Sequence, residues 1–489
     1  MTPATPNATG GVGPAASAAR YLREPHHDFI PASRLALQDA QLQSALARLA
    51  ETLGARNKQA WAALPESDLL RARARAIKDA TLADLDVHLQ RLEASVLGRG
   101  GHVHYAADAA DATAMITELV LRHGRKAVKS KSMTSEEIHL NQALEAAGIE
   151  VVETDFGEYI IQLAGHRPSH LVAPALHLRI EEVAQILSRH AGESLPAEAP
   201  VLTQYARRTL RQHFATADVG ITGVNFAVAE TGTIVLVTNE GNGRLTTALP
   251  RVHIAVMGME KVVPTLADLA VFLKVLSRAA TGQKLSVYTS WITGPRRPGE
   301  LDGPEEFHLI VLDNGRSRIL AGPLRESLFC IRCGACLNAC PVYRTIGGHA
   351  YGGVYAGPIG AVLTPLYDGL AVHPHLPHAS SLCGACQAAC PVKIAIPQML
   401  IQLRSMQHAE PGHGGAAERL VYRAWAWMLR RPWLYRLGTW LASRTLGRLF
   451  RSGWMRRLPG ALHGWTQSRD FPAPARRRFV AWWRHERRT

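Results

Sequence analysis

All seven cysteines of this 489-residue chain lie between positions 330 and 390, and nothing else in the sequence constrains it as much. They form two runs, Cys330-x2-Cys333-x2-Cys336-x3-Cys340-Pro341 and Cys383-x2-Cys386-x3-Cys390-Pro391. The first has the bacterial spacing for cubane iron–sulfur clusters, terminal Pro included. Thiolates at this spacing let one tight loop wrap three iron corners, while the fourth points away to the other cluster. That rule assigns Cys330, Cys333, Cys336 and Cys390 to one cluster and Cys340, Cys383 and Cys386 to another. The second set is one thiol short, and Ser380 stands where its cysteine would be. Ser381, a histidine of His373-Pro-His375-Leu-Pro-His378, water or an incoming molecule are candidates for the open corner. The expectation is two 4Fe–4S clusters, the second with a non-cysteine ligand or as a 3Fe–4S form. Structural zinc is the alternative that Cys-x2-Cys pairs allow. Disulfides suit neither the pattern nor a chain of this length.

Length predicts two or three domains. A hydrophobic share of 47% suits a large packed core. The longest apolar runs, such as Thr233 to Thr238, have the length of strands, well short of the ~20 residues that cross a bilayer. Residues 1–30, rich in Ala, Pro, Gly and Thr, read as a disordered tail and not as a secretory signal. The cysteine usage suits a reducing cytoplasm.

Residues 31–100 read as helical, with Leu35, Leu42, Leu46, Leu49 and Leu53 at helical steps, and Gly98, Gly100 and Gly101 as the stop. Residues 101–318 alternate strand and helix. Strands are expected at His102–Tyr105, Lys126–Lys129, Ile149–Glu153, Thr233–Thr238, Arg251–Gly258, Leu285–Tyr288 and His308–Leu312. Helices are expected over Asp108–His123, from Ser135, and over Leu266–Ser277. Such alternation predicts an α/β domain with a largely parallel sheet. Residues 319–410 hold the cysteine module and 411–489 a helical tail.

Several turns of the α/β domain carry candidate ligand-binding residues. Lys129-Ser-Lys131-Ser-Met-Thr134 links a strand to a helix, where hydroxyls, N–H groups and a helix start hold anions; ordinary capping is the other reading. Glu230 and Gly232 precede the strongest strand. Gly241 and Arg244 belong to the Gly-rich Asn239–Arg244 segment that follows it, which also fits a plain hairpin turn. Neither a dinucleotide fingerprint nor a P-loop is present.

Together these stretches resemble the lactate utilization protein B family. The residues that carry the likeness are Lys129–Thr134, Glu153-Thr-Asp-Phe-Gly-Glu-Tyr159, His166-Arg-Pro-Ser-His170, Ala229-Glu-Thr-Gly-Thr233, Thr238–Arg244, Cys330–Pro341, Tyr351–Gly360 and Leu382–Lys393. They cover about Gln38 to the end of the chain. The resemblance implies a domain like the CoA-transferase and sugar-phosphate isomerase folds, followed by an α-helical two-cluster ferredoxin module. It implies an electron-transfer subunit in a complex that oxidises L-lactate to pyruvate. The implied partners are a cysteine-rich subunit of the heterodisulfide-reductase type and a smaller subunit sharing the α/β domain. Lys129, Lys131, Glu230, Gly232, Gly241 and Arg244 are the candidates for binding an anionic substrate or cofactor.

The charge of +15 is concentrated at one end. From Ala416 to Thr489 seventeen Arg face three acids, a balance of +14, and eight of the ten Trp lie there too. Pro432, Gly438, Gly453 and Pro459 are expected to divide this tail into short helices. Its chemistry fits an acidic partner subunit, an anionic membrane face, which would place the protein peripherally on the inside of the cell membrane, or nucleic acid. Two other functions are consistent with the residues. One is an enzyme binding substrate at a three-cysteine cluster. The other, resting on the tail alone, is a redox regulator that binds nucleic acid.

Overall fold

The computed structural model describes residues 28–171, 173–409, 416–445, 453–458, 460–467, 469–475 and 477–487. The expected N-terminal tail lies outside them up to residue 27. The chain divides into two units, residues 1–407 and 408–489.

Among the described residues of the larger unit, four helices come first: α1 (Phe29–Gln38), α2 (Ala40–Ala62), α3 (Ser67–Ala83) and α4 (Leu85–Leu97). Asp39 separates the first two and caps the second, its carboxylate accepting the Leu42 N–H at 3.0 Å. Ten strands follow: β1 (His102–Ala106), β2 (Lys126–Lys129), β3 (Glu150–Glu153), β4 (Val219–Gly223), β5 (Phe226–Val228), β6 (Thr233–Thr238), β7 (Val252–Gly258), β8 (Val262–Val263), β9 (Tyr288–Ile292) and β10 (Glu306–Leu312). Six of them form a sheet in the order β1-β10-β7-β4-β2-β3, parallel at every pairing. Its central strand β7 is buried along its whole length, as a parallel sheet covered on both faces requires.

The remaining four make a second sheet, β8-β5-β6-β9, which the sequence did not announce. The strong apolar strand β6 belongs here, antiparallel to both neighbours. The strand expected at Leu285–Tyr288 begins only at Tyr288. Leu285 and Val287 are exposed, and pairing with β6 runs from Tyr288 to Ile292. The helix expected from Ser135 starts at Met133, because Ser132 caps it by accepting the Ser135 N–H at 3.2 Å. Asn239–Arg244 is no hairpin; it leads into the helix Asn242–Ala248.

Among the described residues, no strand occurs between Leu312 and Ala409, and short helices carry the cysteines. Their apolar side chains share one core with the second sheet and the N-terminal helices. In the smaller unit, helices span Ala416–Leu429, Pro432–Thr445 and Phe479–Glu486. Pro432 starts a helix, where its missing N–H costs nothing, and Gly438 lies inside that helix instead of ending it. Among the described residues no helix is long and apolar enough to cross a membrane.

Candidate metal centres and the adjoining cleft

The two cysteine runs fold alike. In the first, Arg332 (φ 59°) and Gly334 (φ 76°) flank Cys333 in left-handed conformation, and the helix Ala335–Ala339 carries Cys336. In the second, Leu382 (φ 55°) and Gly384 (φ 81°) flank Cys383, and the helix Ala385–Ala389 carries Cys386. Cys340 and Cys390 close the two helices with the same extended backbone. A left-handed residue on each side of a cysteine curls the chain so that successive N–H groups point inward. The Arg332 N–H donates to Cys330 Sγ and the Ile394 N–H to Cys390 Sγ, each at 3.4 Å. Further backbone donors are Ala335 to Cys333, Val342 to Cys340, Ala385 to Cys383 and Val392 to Cys390.

Cys330, Cys333, Cys336 and Cys390 surround one cavity, walled by Leu171, Ile359, Val392 and Ile396. Burial pushes the Cys336 thiol far up, and the charges of Cys330, Cys333 and Cys390 add to it. Burial likewise raises Cys390 to about 11. Four thiols in a dry pocket, each offered N–H donors, do not ionise unaided; a bound cation is what makes four thiolates stable there. The donor set therefore fits an iron–sulfur cluster. Cys340, Cys383 and Cys386 gather separately and within reach of one another's charge. Cys383 is exposed, and the Ala385 N–H and the Ser381 hydroxyl hold its thiol below the ordinary value.

Against the first set lies a cleft of about 310 Å³. It opens at the carboxyl ends of the parallel strands, where open α/β sheets take their ligands. Ser130–Thr134 follow β2, Asp155 follows β3, Val224 and Asn225 follow β4, and Lys261 follows β7. Gly223 ends β4 without a side chain because a Cβ there would strike Ser132 Oγ at 2.6 Å. Arg332 and Cys333 close the far wall, and both also line the cysteine cavity.

Arg332 is 8% exposed; it stacks on Tyr355 at 4.3 Å and reaches Glu260 at 3.5 Å, but its Nη1 is buried without a hydrogen-bond partner. Beneath it Glu260 also holds Arg316 at 2.6 Å, and Arg316 pairs with Glu137 at 2.8 Å. Burial alone would raise Glu260, but Arg316 and Arg332 outweigh it and bring its pKa to about 2. Burial lowers Lys261 to about 8, against the pull of Glu260.

Three segments match known domains. Residues 89–312 match the LUD domain, residues 326–394 the 4Fe-4S dicluster domain, and residues 403–488 the domain described as Lactate utilisation protein B, C-terminal. Lactate utilization protein B of Geobacillus kaustophilus is 49% identical over 84% of this chain and 87% of its own length. The proteins of that name from Bacillus licheniformis and Shouchella clausii are 45% and 47% identical, each over 92% of this chain, covering 95% and 94% of their own lengths. The chain belongs to the lactate utilization protein B family. Its 4Fe-4S dicluster domain and gathered cysteines make it an iron–sulfur protein.

Within the LUD domain of this family member, the turn residues singled out from sequence separate into different roles. Lys131 lines the cleft, but its ammonium is taken by Glu158. Lys129 is 1% exposed and lies beneath the turn, paired with Glu153 at 2.7 Å and with Ser135 Oγ at 3.1 Å. Its charge is already matched inside the protein. Glu230 accepts the Leu266 N–H at the start of the helix Leu266–Thr281. Gly232 (φ 69°) lets α4 pack close, since a Cβ there would meet the Ser95 carbonyl carbon at 2.8 Å. Arg244 stacks on Tyr288 at 5.3 Å, and neither it nor Gly241 lines the cleft. The cations that sequence reasoning missed are Lys261 and Arg332. An arginine inside a Cys-x2-Cys loop was the one visible signal.

Proposed function

We propose that this protein is the electron-transfer subunit of a system that oxidises L-lactate to pyruvate. Its relatives are named for lactate utilization, and its cysteines form two separate sets. In this reading Cys330, Cys333, Cys336 and Cys390 hold one 4Fe–4S cluster, and Cys340, Cys383 and Cys386 hold the second. Bound clusters supply one-electron transfer. The protein's own residues keep the first site dry with Leu171, Ile359, Val392 and Ile396 and offer N–H groups to the sulfurs. The second site keeps Cys383 at the surface, where an acceptor can approach.

One observation carries this reading: the cleft and the first cysteine set share Arg332 and Cys333. A carboxylate-bearing substrate or cofactor held by Lys261 and Arg332 would lie beside the first cluster. The partners implied are the cysteine-rich and small α/β subunits. The exposed Trp425, Trp427 and Trp433 of the Arg-rich C-terminal helices suit a docking surface for them.

The test is lactate-dependent dye reduction by the complex purified anaerobically with its partners. Lys261→Met should raise the half-saturating lactate concentration about 10- to 100-fold, the worth of a hydrogen bond to a charged group, with iron content unchanged. A complex that turns over lactate normally without this chain would refute the proposal.

A further inference from the structure

The second cysteine set lacks a fourth sulfur, and Ser380 stands at the matching position of its run. Each residue of the second run lies fifty positions beyond its counterpart in the first: Cys383 after Cys333, Cys386 after Cys336, Cys390 after Cys340, and Ser380 after Cys330. The backbone keeps that register through the paired left-handed residues and the paired five-residue helices. The equivalence extends to hydrogen bonding. Just as Cys330 Sγ accepts the N–H two residues on, Ser380 Oγ accepts the Leu382 N–H, at 3.1 Å. The same i+2 donor serves Cys333, Cys340, Cys383 and Cys390. Ser380 Oγ thus receives the backbone cradle that the sulfurs receive.

Of the competing side chains, His375 is exposed and the other three have partners of their own. Ser381 is bonded to the Cys383 thiol. His373 pairs with Asp368 at 3.1 Å and His378 with Gln407 at 3.2 Å.

We infer that Ser380 Oγ is the fourth protein ligand of the second iron–sulfur cluster. This rests on the reading that the second set holds a cluster, and it adds the residue that completes it. On ligation an Fe–O bond forms and the hydroxyl proton leaves to water, which reaches the exposed neighbour Cys383. Oxygen is a harder ligand than sulfur and favours ferric iron. The second cluster then has one iron unlike the others and a lower potential than an all-cysteine cluster in the same place.

The experiment uses full-length chain, prepared anaerobically with iron enriched in the Mössbauer isotope, as parent, Ser380→Cys, Ser380→Ala and Ser381→Ala. The parent should show a distinct iron subsite that Ser380→Cys abolishes, with the second midpoint potential moving up. Ser380→Ala should lose an iron or the whole second cluster, while Ser381→Ala keeps both. Retained iron in the first set shows that each variant has folded. Parent and Ser380→Ala spectra that coincide would overturn the inference, as would equal losses in Ser380→Ala and Ser381→Ala, which report a disturbed loop. If no variant, parent included, holds a second cluster, the two-cluster reading fails first.

Discussion

Around Cys336 the chain closes apolar walls; beside its counterpart Cys386, it leaves Cys383 facing solvent. The two cysteine runs have the same turns, the same helix lengths and the same i+2 N–H donors at three matched positions, so the local backbone does not account for the difference. The surroundings do. The first set lines a cavity walled by Leu171, Ile359, Val392 and Ile396, whereas in the second set Cys340 and Cys386 are buried but Cys383 is exposed. Arg71 of α3 reaches across to the Cys390 carbonyl at 2.7 Å, and Glu260 anchors Arg332 from below. One backbone design thus serves an inner site that adjoins the cleft and an outer site with one exposed cysteine. Because Cys390 lies with the first set and Cys340 with the second, neither loop can fold away without disturbing both.

The largest test of this asymmetry removes one thiol from each set. Cys336→Ala should strip iron from the inner site and loosen the core it shares with the helices, because metal-binding free energy there is also folding free energy. Iron and sulfide counts should fall together with a sharp gain in protease sensitivity. Cys383→Ala should lose iron from the outer site while the chain stays as protease-resistant as the parent. Equal sensitivity in both variants would erase the distinction between inner and outer.

A smaller effect separates the charges beside the two sites. Glu260 is 1% exposed and sits between Arg316 and Arg332. Glu260→Gln takes the carboxylate from Arg332, while Arg316 keeps Glu137, and should cost about 3–5 kcal/mol, the range for breaking a buried pair. Beside the outer set, the exposed Arg344 donates to the Asn338 carbonyl at 2.7 Å. Arg344→Gln should cost about 1 kcal/mol or less. Urea midpoints measured on iron-loaded protein compare the two. A mild Glu260→Gln would mean that the inner site does not depend on its buried charges.

The sequence showed the parts whose rules are local. Cysteine spacing is read within a dozen residues, and strand–helix alternation within fifteen. It did not show the second sheet, because β5 and β8 have three and two residues, too few for any periodicity. Leu285 and Val287 alternate as a strand should, but β6 pairs one step later along the chain. The partners of the lysines were hidden for a different reason. Lys129 and Lys131 stand in a turn of the right type, yet Glu153 and Glu158, more than twenty residues away, neutralise them. Lys261 lies in no motif at all. Only the parallel order of β2, β4 and β7 brings the end of β7 to the same cleft as that turn.

The finest contrast rests on two left-handed residues that are not glycine. Arg332 (φ 59°) and Leu382 (φ 55°) hold the same position in their runs, and each bears the ~1–2 kcal/mol that a Cβ costs in this region. Leu382→Gly relieves that strain, but it gives up the packing of a half-buried side chain and adds chain entropy to the unfolded state. The gains and losses nearly cancel, so stability should stay within about 1 kcal/mol of the parent. Arg332→Gly relieves the same strain but removes the cation that stacks on Tyr355 and reaches Glu260. It should lose about 2 kcal/mol or more, because the buried-pair cost exceeds the relief. Urea midpoints of the two variants measure the difference directly. If both glycines behaved alike, Arg332 would be no more than a turn residue, and the link between cleft and inner site would lose its main structural support.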